Sequence, residues 1–158
     1  MMYRFLILTV LLLTTVVYSQ ENPKPFFKQV TPNLVVKDVN ATCEFYVGKL
    51  GFSTVLTIPD TGKFLFAMLK RDSVTVMFQD IESLKQGFPN DDIKPAAGSI
   101  ILYIDITEFD ELVDELKEKK VTIERYIPET FYGTREMVIR DNSGHFIVFA
   151  MDLERVEP

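Results

Sequence analysis

The chain has 158 residues, with 17 Lys and Arg side chains against 23 Asp and Glu, and a formal net charge of −6 at pH 7. An acidic chain without a basic cluster is a poor match for nucleic acid, because that affinity comes mainly from phosphate contacts by Lys and Arg. The length suits one domain with its own core, and the single cysteine, Cys43, excludes an intramolecular disulfide.

Residues 1–19 have the pattern of a signal peptide. Arg4 supplies the positive charge, Phe5–Val17 is an apolar stretch, and Val17–Ser19 places small residues at the usual cleavage spacing. The apolar stretch is shorter than the roughly 20 residues that cross a bilayer, so no stable membrane anchor is expected after cleavage. The sequence therefore predicts a periplasmic or secreted protein whose mature chain begins at Gln20, with residues 20–30 as an extended leader.

A first module is predicted over residues 31–79. Thr31–Lys37 has the composition of a strand, and Asp38 or Asn40 can cap a helix that ends at Gly51. Four residues recur at helical spacing on one side of that helix: Cys43, Tyr46, Val47 and Leu50. Three β-rich runs follow, at Ser53–Ile58, Phe64–Arg71 and Ser73–Gln79.

The same order is predicted again over residues 99–152. Residues 80–98 form a polar linker with at most one helical turn at Ile81–Lys85. A strand at Ser99–Asp105 precedes an amphipathic helix, which a Thr107-Glu-Phe-Asp110 capping arrangement begins. Three further strands are predicted at Val121–Ile127, Thr134–Arg140 and His145–Met151, and residues 153–158 form a tail.

The two predicted modules share a local sequence match. Met68–Asp72 reads MLKRD and Met137–Asp141 reads MVIRD. Similar αβ units can also arise independently, so the match supports a duplication without requiring one. The order predicts an α+β fold of two tandem βαβββ modules.

Three motifs carry a resemblance to a known family. Asp38, Phe45-Tyr46 and Leu50-Gly51-Phe52 follow the first strand, and the segments 131–136 (FYGTRE) and 140–145 (RDNSGH) close the second module. Together they resemble the vicinal oxygen chelate superfamily of glyoxalase I, extradiol dioxygenases, and fosfomycin- and bleomycin-resistance proteins. The resemblance covers residues 30–152 and is strongest to the metal-free, bleomycin-resistance-like branch.

This resemblance also implies where a metal would be held. Metalloenzymes of the superfamily place His, Gln or Glu at four positions, which correspond here to Thr31, Met77, Ser99 and Val148. Hydroxyl, thioether and isopropyl groups do not replace the imidazole and carboxylate ligands that divalent metals need. No metal and no other cofactor is therefore expected, and glyoxalase activity does not carry over.

Other catalytic chemistry finds little support in the sequence. Cys43 is interpreted as buried packing and His145, the only histidine, as a solvated turn residue. No nucleophile motif is present, and no catalytic residue is assigned. Acid–base catalysis by a carboxylate such as Glu136 stays open.

The resemblance implies that the two modules form curved sheets around a cleft, and the aromatic and thioether side chains of the predicted strands would line it. The candidate lining residues are Asn33, Phe66, Met68, Met77, Tyr103, Phe131, Tyr132 and Arg135. The favoured function is binding of a small organic molecule, cationic or aromatic, by a metal-free homodimer. The alternatives are a lyase- or dioxygenase-type enzyme with unconventional metal ligands or carboxylate catalysis, and a structural or interaction module whose cleft is filled.

Overall fold

The order of strand, helix and three strands occurs twice in the computed structural model, which describes residues 27–95 and 98–153. The predicted signal peptide, most of the predicted leader and nearly all of the tail lie outside these residues. No helix within the described ranges is long and apolar enough to cross a membrane. The elements are β1 Asn33–Val36, α1 Val39–Leu50, β2 Ser53–Ile58, β3 Phe66–Arg71, β4 Val74–Asp80, α2 Ile81–Gly87, β5 Ile101–Asp105, α3 Phe109–Glu118, β6 Ile123–Ile127, β7 Thr134–Arg140 and β8 Phe146–Asp152.

Each module forms one mixed sheet of four strands. The strand order is β1-β4-β3-β2 in the first sheet and β5-β8-β7-β6 in the second. The first strand of each module runs parallel to the last, and the remaining pairs are antiparallel. The predicted α+β fold of two βαβββ modules is confirmed.

The ends of α1 agree with the prediction. Asp38 caps the helix by accepting a hydrogen bond from the Ala41 backbone N–H at 3.0 Å, and Gly51 ends it with φ of 68°. Of the four residues predicted to share one side, Cys43, Tyr46 and Leu50 are buried, whereas Val47 is 41% exposed. At 3.6 residues per turn, Val47 lies about 100° beyond the buried Tyr46 and leaves the packed side of the helix.

Two predictions on the later part of the chain are corrected. The α3 helix has Glu108 as its N-cap without a side-chain capping bond, so the Thr107 capping arrangement is wrong by one residue. The predicted linker contains the seven-residue helix α2. Asp80 ends β4 and also caps α2, because its Oδ1 accepts the Ser83 N–H at 3.0 Å.

One hydrophobic core spans both modules, because the helix-facing sides of the two sheets contribute to the same cluster of buried residues. Tyr46 is fully buried and its ring packs against Phe52 and Phe78. Cys43 is buried in this core, as predicted, and burial raises the pKa of its thiol. Further contacts join the modules where Arg71 at the end of β3 pairs with Glu115 of α3 at 2.8 Å.

Asp141 joins the turn after β7 to helix α1 of the other module. Its Oδ1 accepts the backbone N–H groups of Ser143 and His145, at 2.9 and 2.8 Å. Its Oδ2 accepts the Tyr46 hydroxyl at 3.1 Å and lies 2.9 Å from His145 Nδ1. The prediction of a solvated His145 is therefore wrong: the turn folds back onto α1, so the imidazole is fully buried.

Candidate functional site

The face of each sheet that lies opposite the helices is called here its open face. In β3, Ala67 and Leu69 are buried toward the core, while Phe66 and Met68 are only half-buried on the other side. Side chains alternate between the two faces of a strand, so the open faces can be read from this pattern. They are the surfaces that the chain's own core does not use.

On the first open face, four predicted cleft residues come together. Asn33 pairs with Met77 between β1 and β4, and Met77 pairs with Met68 between β4 and β3. Phe66 pairs with Gln79, whose Oε1 accepts a hydrogen bond from Asn33 Nδ2 at 3.0 Å. The result is an apolar and thioether surface with an amide pair at its edge.

On the second open face, three hydroxyl groups converge on one carboxylate oxygen. Glu136 Oε1 accepts hydrogen bonds from the Tyr103 hydroxyl at 2.9 Å, the Tyr132 hydroxyl at 2.8 Å and the Thr134 hydroxyl at 2.9 Å. Glu136 is only 5% exposed, whereas Tyr103 and Tyr132 are 50% and 45% exposed. These four residues are called the Glu136 cluster.

The strand register explains how the Glu136 cluster forms. Ala150 of β8 lies between Glu136 on β7 and Asp105 on β5, and Tyr103 pairs with the neighbouring Val148. Because Ala150 has only a methyl side chain, the Tyr103 hydroxyl can reach across β8 to Glu136. Thr134 is itself positioned by Thr130, whose Oγ1 accepts the Thr134 backbone N–H at 3.0 Å.

The cluster keeps Glu136 ionised. Burial raises the pKa of Glu136, but the hydrogen bonds from Tyr132, Tyr103 and Thr134, with the charge of Arg125, lower it by more. The pKa therefore lies below its ordinary value of 4.5. The same contacts raise the pKa of the two tyrosines, since each hydroxyl donates to a carboxylate.

A pH dependence of stability follows from this shift. A carboxyl group with a lowered pKa in the folded state stabilises the fold at pH above its ordinary value, and the stabilisation is lost as the pH falls through the folded value. We expect the difference in unfolding free energy between the native protein and Glu136→Gln to shrink as the pH falls from about 6 to about 3. Denaturant unfolding at each pH measures it.

Glu124→Gln is the matched control, because Glu124 is an exposed carboxylate on the adjacent strand that pairs with Arg140. Its difference from the native protein should change less over the same pH range. A constant difference for Glu136→Gln across that range would show that the cluster does not favour the ionised carboxylate.

Two other predicted cleft residues have different surroundings. Phe131 is fully exposed in the loop before β7, where its ring contacts Tyr132. Arg135 lies on the helix-facing side, where it binds Asp110 at 2.6 Å and stacks on Phe109 and Tyr126. The hydrogen bond to Asp110 raises the pKa of Arg135, and the guanidinium fastens α3 to the sheet rather than lining the open face.

The sequence interpretation considered Glu136 only as a catalytic carboxylate and not as a cleft residue. A signal for its position was available. Met137 and Ile139 are apolar and alternate with Glu136 and Val138, so Arg135 belongs to the core side and Glu136 to the opposite face. The convergence of Tyr103 and Tyr132 on it was not visible in that pattern.

The four residues that the resemblance aligns with metal ligands lie in different parts of the two modules. Met77 lies on the first open face and Val148 in β8, while Thr31 and Ser99 precede the strands on which ligands were expected. Within residues 27–95 and 98–153, no three His, Cys, Asp or Glu side chains converge as a metal site. Thr31, Met77, Ser99 and Val148 carry none of the imidazole, thiolate or carboxylate groups that bind a divalent metal.

Two cavities lie at the junction of the modules. One, of about 410 Å³, is lined by the β3–β4 turn and by residues 104–108. The other, of about 310 Å³, is lined by β4 and by β5, including Tyr103. Glu136 belongs to neither, so Tyr103 is the residue shared by the smaller cavity and the Glu136 cluster.

Comparison with known proteins places the chain in a family. The model of the Glyoxalase/Bleomycin resistance protein/Dioxygenase superfamily matches residues 27–149. The chain belongs to this superfamily. The resemblance seen in the sequence is thereby confirmed, while comparison with curated proteins gives no match.

Solved structures share the fold at low sequence identity. A glyoxalase/bleomycin resistance protein/dioxygenase from Nocardioides is 19% identical, with a TM-score of 0.67 over 85% of this chain and 90% of its own. The bleomycin-binding protein of Streptomyces verticillus, complexed with copper(II)-bleomycin, is 24% identical, with a TM-score of 0.56 over 80% and 97%. A lactoylglutathione lyase from Agrobacterium tumefaciens is 19% identical, with a TM-score of 0.62 over 81% and 96%.

Proposed function

We propose that this protein is an exported, metal-free member of the superfamily that binds a small organic molecule on its open faces. The observation that carries the proposal is that the open face of the first sheet is apolar and that the open face of the second sheet holds the buried Glu136 carboxylate. Small-molecule sites combine apolar walls with a few placed polar groups. A member of this superfamily binds bleomycin, so the fold accommodates small-molecule binding.

Binding is favoured over catalysis by the state of Glu136. A general base works best when its pKa lies near the working pH. The pKa of Glu136 lies below its ordinary value, so its carboxylate is a poor proton acceptor and a stable anion. A cleft filled by the chain itself is disfavoured too, because Tyr103 and Tyr132 are half-exposed.

A homodimer is part of the proposal. The Asn33–Gln79 hydrogen bond on the first open face and the bonds to Glu136 on the second each join residues of a single module. Apolar side chains remain exposed at the strands beside them, among them Val55, Ile58 and Ile101. Exposed apolar surface of this kind marks interaction sites, and a second copy would bring the open face of one chain over that of the other.

A thermal-shift experiment tests the proposal. We expect cationic and aromatic small molecules to raise the melting temperature by several degrees, because a ligand at 100 times its Kd stabilises the folded state by about 2.7 kcal/mol. Equimolar Ni²⁺, Zn²⁺, Mn²⁺ or Fe²⁺ should leave it unchanged. Stabilisation by several degrees with one of these metals would contradict the metal-free proposal, and no response to any organic ligand would contradict small-molecule binding.

A further inference from the structure

Glu136 carries a negative charge that no described cation pairs. None of the ion pairs within residues 27–95 and 98–153 includes Glu136. Arg125 on the neighbouring strand acts on it through charge alone. A buried carboxylate loses hydration worth several kcal/mol, and three neutral hydroxyls do not neutralise its charge. The negative charge of Glu136 would therefore be balanced by a bound cation.

The two oxygens of Glu136 have different surroundings. The three hydroxyl bonds all go to Oε1. Within the described part of the chain, the only fully buried side-chain nitrogen or oxygen without a hydrogen bond is His145 Nε2. Glu136 Oε2 also accepts no hydrogen bond from the described residues. Since it is not among the fully buried atoms, part of its surface is accessible to solvent. One oxygen is thus fixed and the other is free to accept.

The surroundings of Oε2 suit an organic cation. The Tyr103 and Tyr132 hydroxyls bond the carboxylate, so both half-exposed rings stand beside it. A charge-assisted hydrogen bond from N–H to a carboxylate is about twice as strong as a neutral one. Arg125 is exposed and adds positive charge nearby, which weakens but does not occupy the position at Oε2.

We infer that Glu136 is the anchor for an ammonium group of the ligand, with Oε2 as the acceptor and the two tyrosines as its walls. The inference rests on the proposed function and names the chemical class of the ligand: an organic amine with at least one N–H. The ligand's apolar part then lies along the open faces or in the smaller cavity that Tyr103 lines.

A pair of matched probes tests this on the full chain as the cell produces it. Benzylammonium and benzyl alcohol have nearly the same shape and differ in charge. Calorimetric titration should give benzylammonium about tenfold tighter binding than benzyl alcohol, a difference of about 1.4 kcal/mol. Glu136→Gln keeps an oxygen for the three hydroxyls and should remove this preference, whereas Glu124→Gln removes an exposed carboxylate and should retain it.

Arg125→Gln gives an independent readout if Glu136→Gln fails to fold, because removing the positive charge should tighten benzylammonium binding and leave benzyl alcohol unchanged. Equal binding of both probes by the native protein and by Glu136→Gln would overturn the inference and leave small-molecule binding intact. If neither probe binds, the inference also falls, and the wider ligand screen separately decides the proposed function.

Discussion

Replacement of Asp141 by alanine is expected to lower the free energy of unfolding by about 3–5 kcal/mol. The Asp141 carboxylate accepts two backbone N–H groups and the Tyr46 hydroxyl, and it contacts the His145 ring. Tyr46 and His145 are fully buried, so no solvent replaces the lost acceptor. Each unsatisfied buried group costs about 1–3 kcal/mol. Denaturant titration, followed by circular dichroism, measures the change.

Asp60→Ala is the matched control for this experiment, because Asp60 is exposed in the segment between β2 and β3. Its effect should stay within about 0.5 kcal/mol. Tyr46→Phe should produce a part of the Asp141→Ala loss, since it removes one donor and keeps the ring. A loss below about 1 kcal/mol for Asp141→Ala would show that the carboxylate does not join the modules.

The second large effect is expected in the hydrophobic core. Phe78 of β4 is fully buried and its ring lies 4.7 Å from that of Tyr46. Truncation to alanine removes the ring from both the sheet and α1 and leaves a cavity, so Phe78→Ala should cost about 3–5 kcal/mol of unfolding free energy. Phe78→Leu fills part of that space and should cost less.

Phe88→Ala supplies the same chemical change at a site where the ring is half-exposed after α2. Because little apolar surface leaves the core there, its unfolding free energy should fall much less than that of Phe78→Ala. Equal losses for the two variants would mean that Phe78 contributes no more packing than an exposed phenylalanine. The comparison uses thermal or denaturant unfolding of both proteins under one condition.

These two sites affect function indirectly. Phe78 belongs to the core that holds both sheets, and Asp141 accepts the hydroxyl of Tyr46 from the same core. Glu136 and Tyr103 lie on an open face, outside that core. Substitution of Glu136 should therefore alter ligand preference in addition to its pH-dependent effect on stability, whereas substitution of Asp141 should affect mainly stability.

Several features of the fold were predictable because they depend on neighbouring residues. The cap at Asp38 and the end at Gly51 follow from local backbone chemistry. The bounds of β2 and β7 match their predicted ranges, since alternating side chains and turn residues mark them. The same alternation placed Phe66 and Met68 on one face of a strand and Met77 on its neighbour, and Met68 pairs with Met77 in the register.

The two errors about side-chain surroundings have different origins. His145 was predicted to be solvated because its turn is polar, but that turn packs against α1, a distant part of the chain, and His145 is buried. Arg135 was placed at the cleft because it follows the Phe131-Tyr132 loop, although the alternation of its own strand assigns it to the helix-facing side.

The sequence by itself determined the two-module scaffold and the family, and the resemblance places Thr31, Met77, Ser99 and Val148 where relatives hold metal ligands. Only the tertiary structure decided that Tyr103 and Tyr132 meet on Glu136 and that Asp141 joins Tyr46 to His145. Periodicity assigns a residue to one face of a strand, because side chains alternate along it. It does not say which strands become neighbours or how far a hydroxyl reaches, and these contacts join residues up to 95 positions apart.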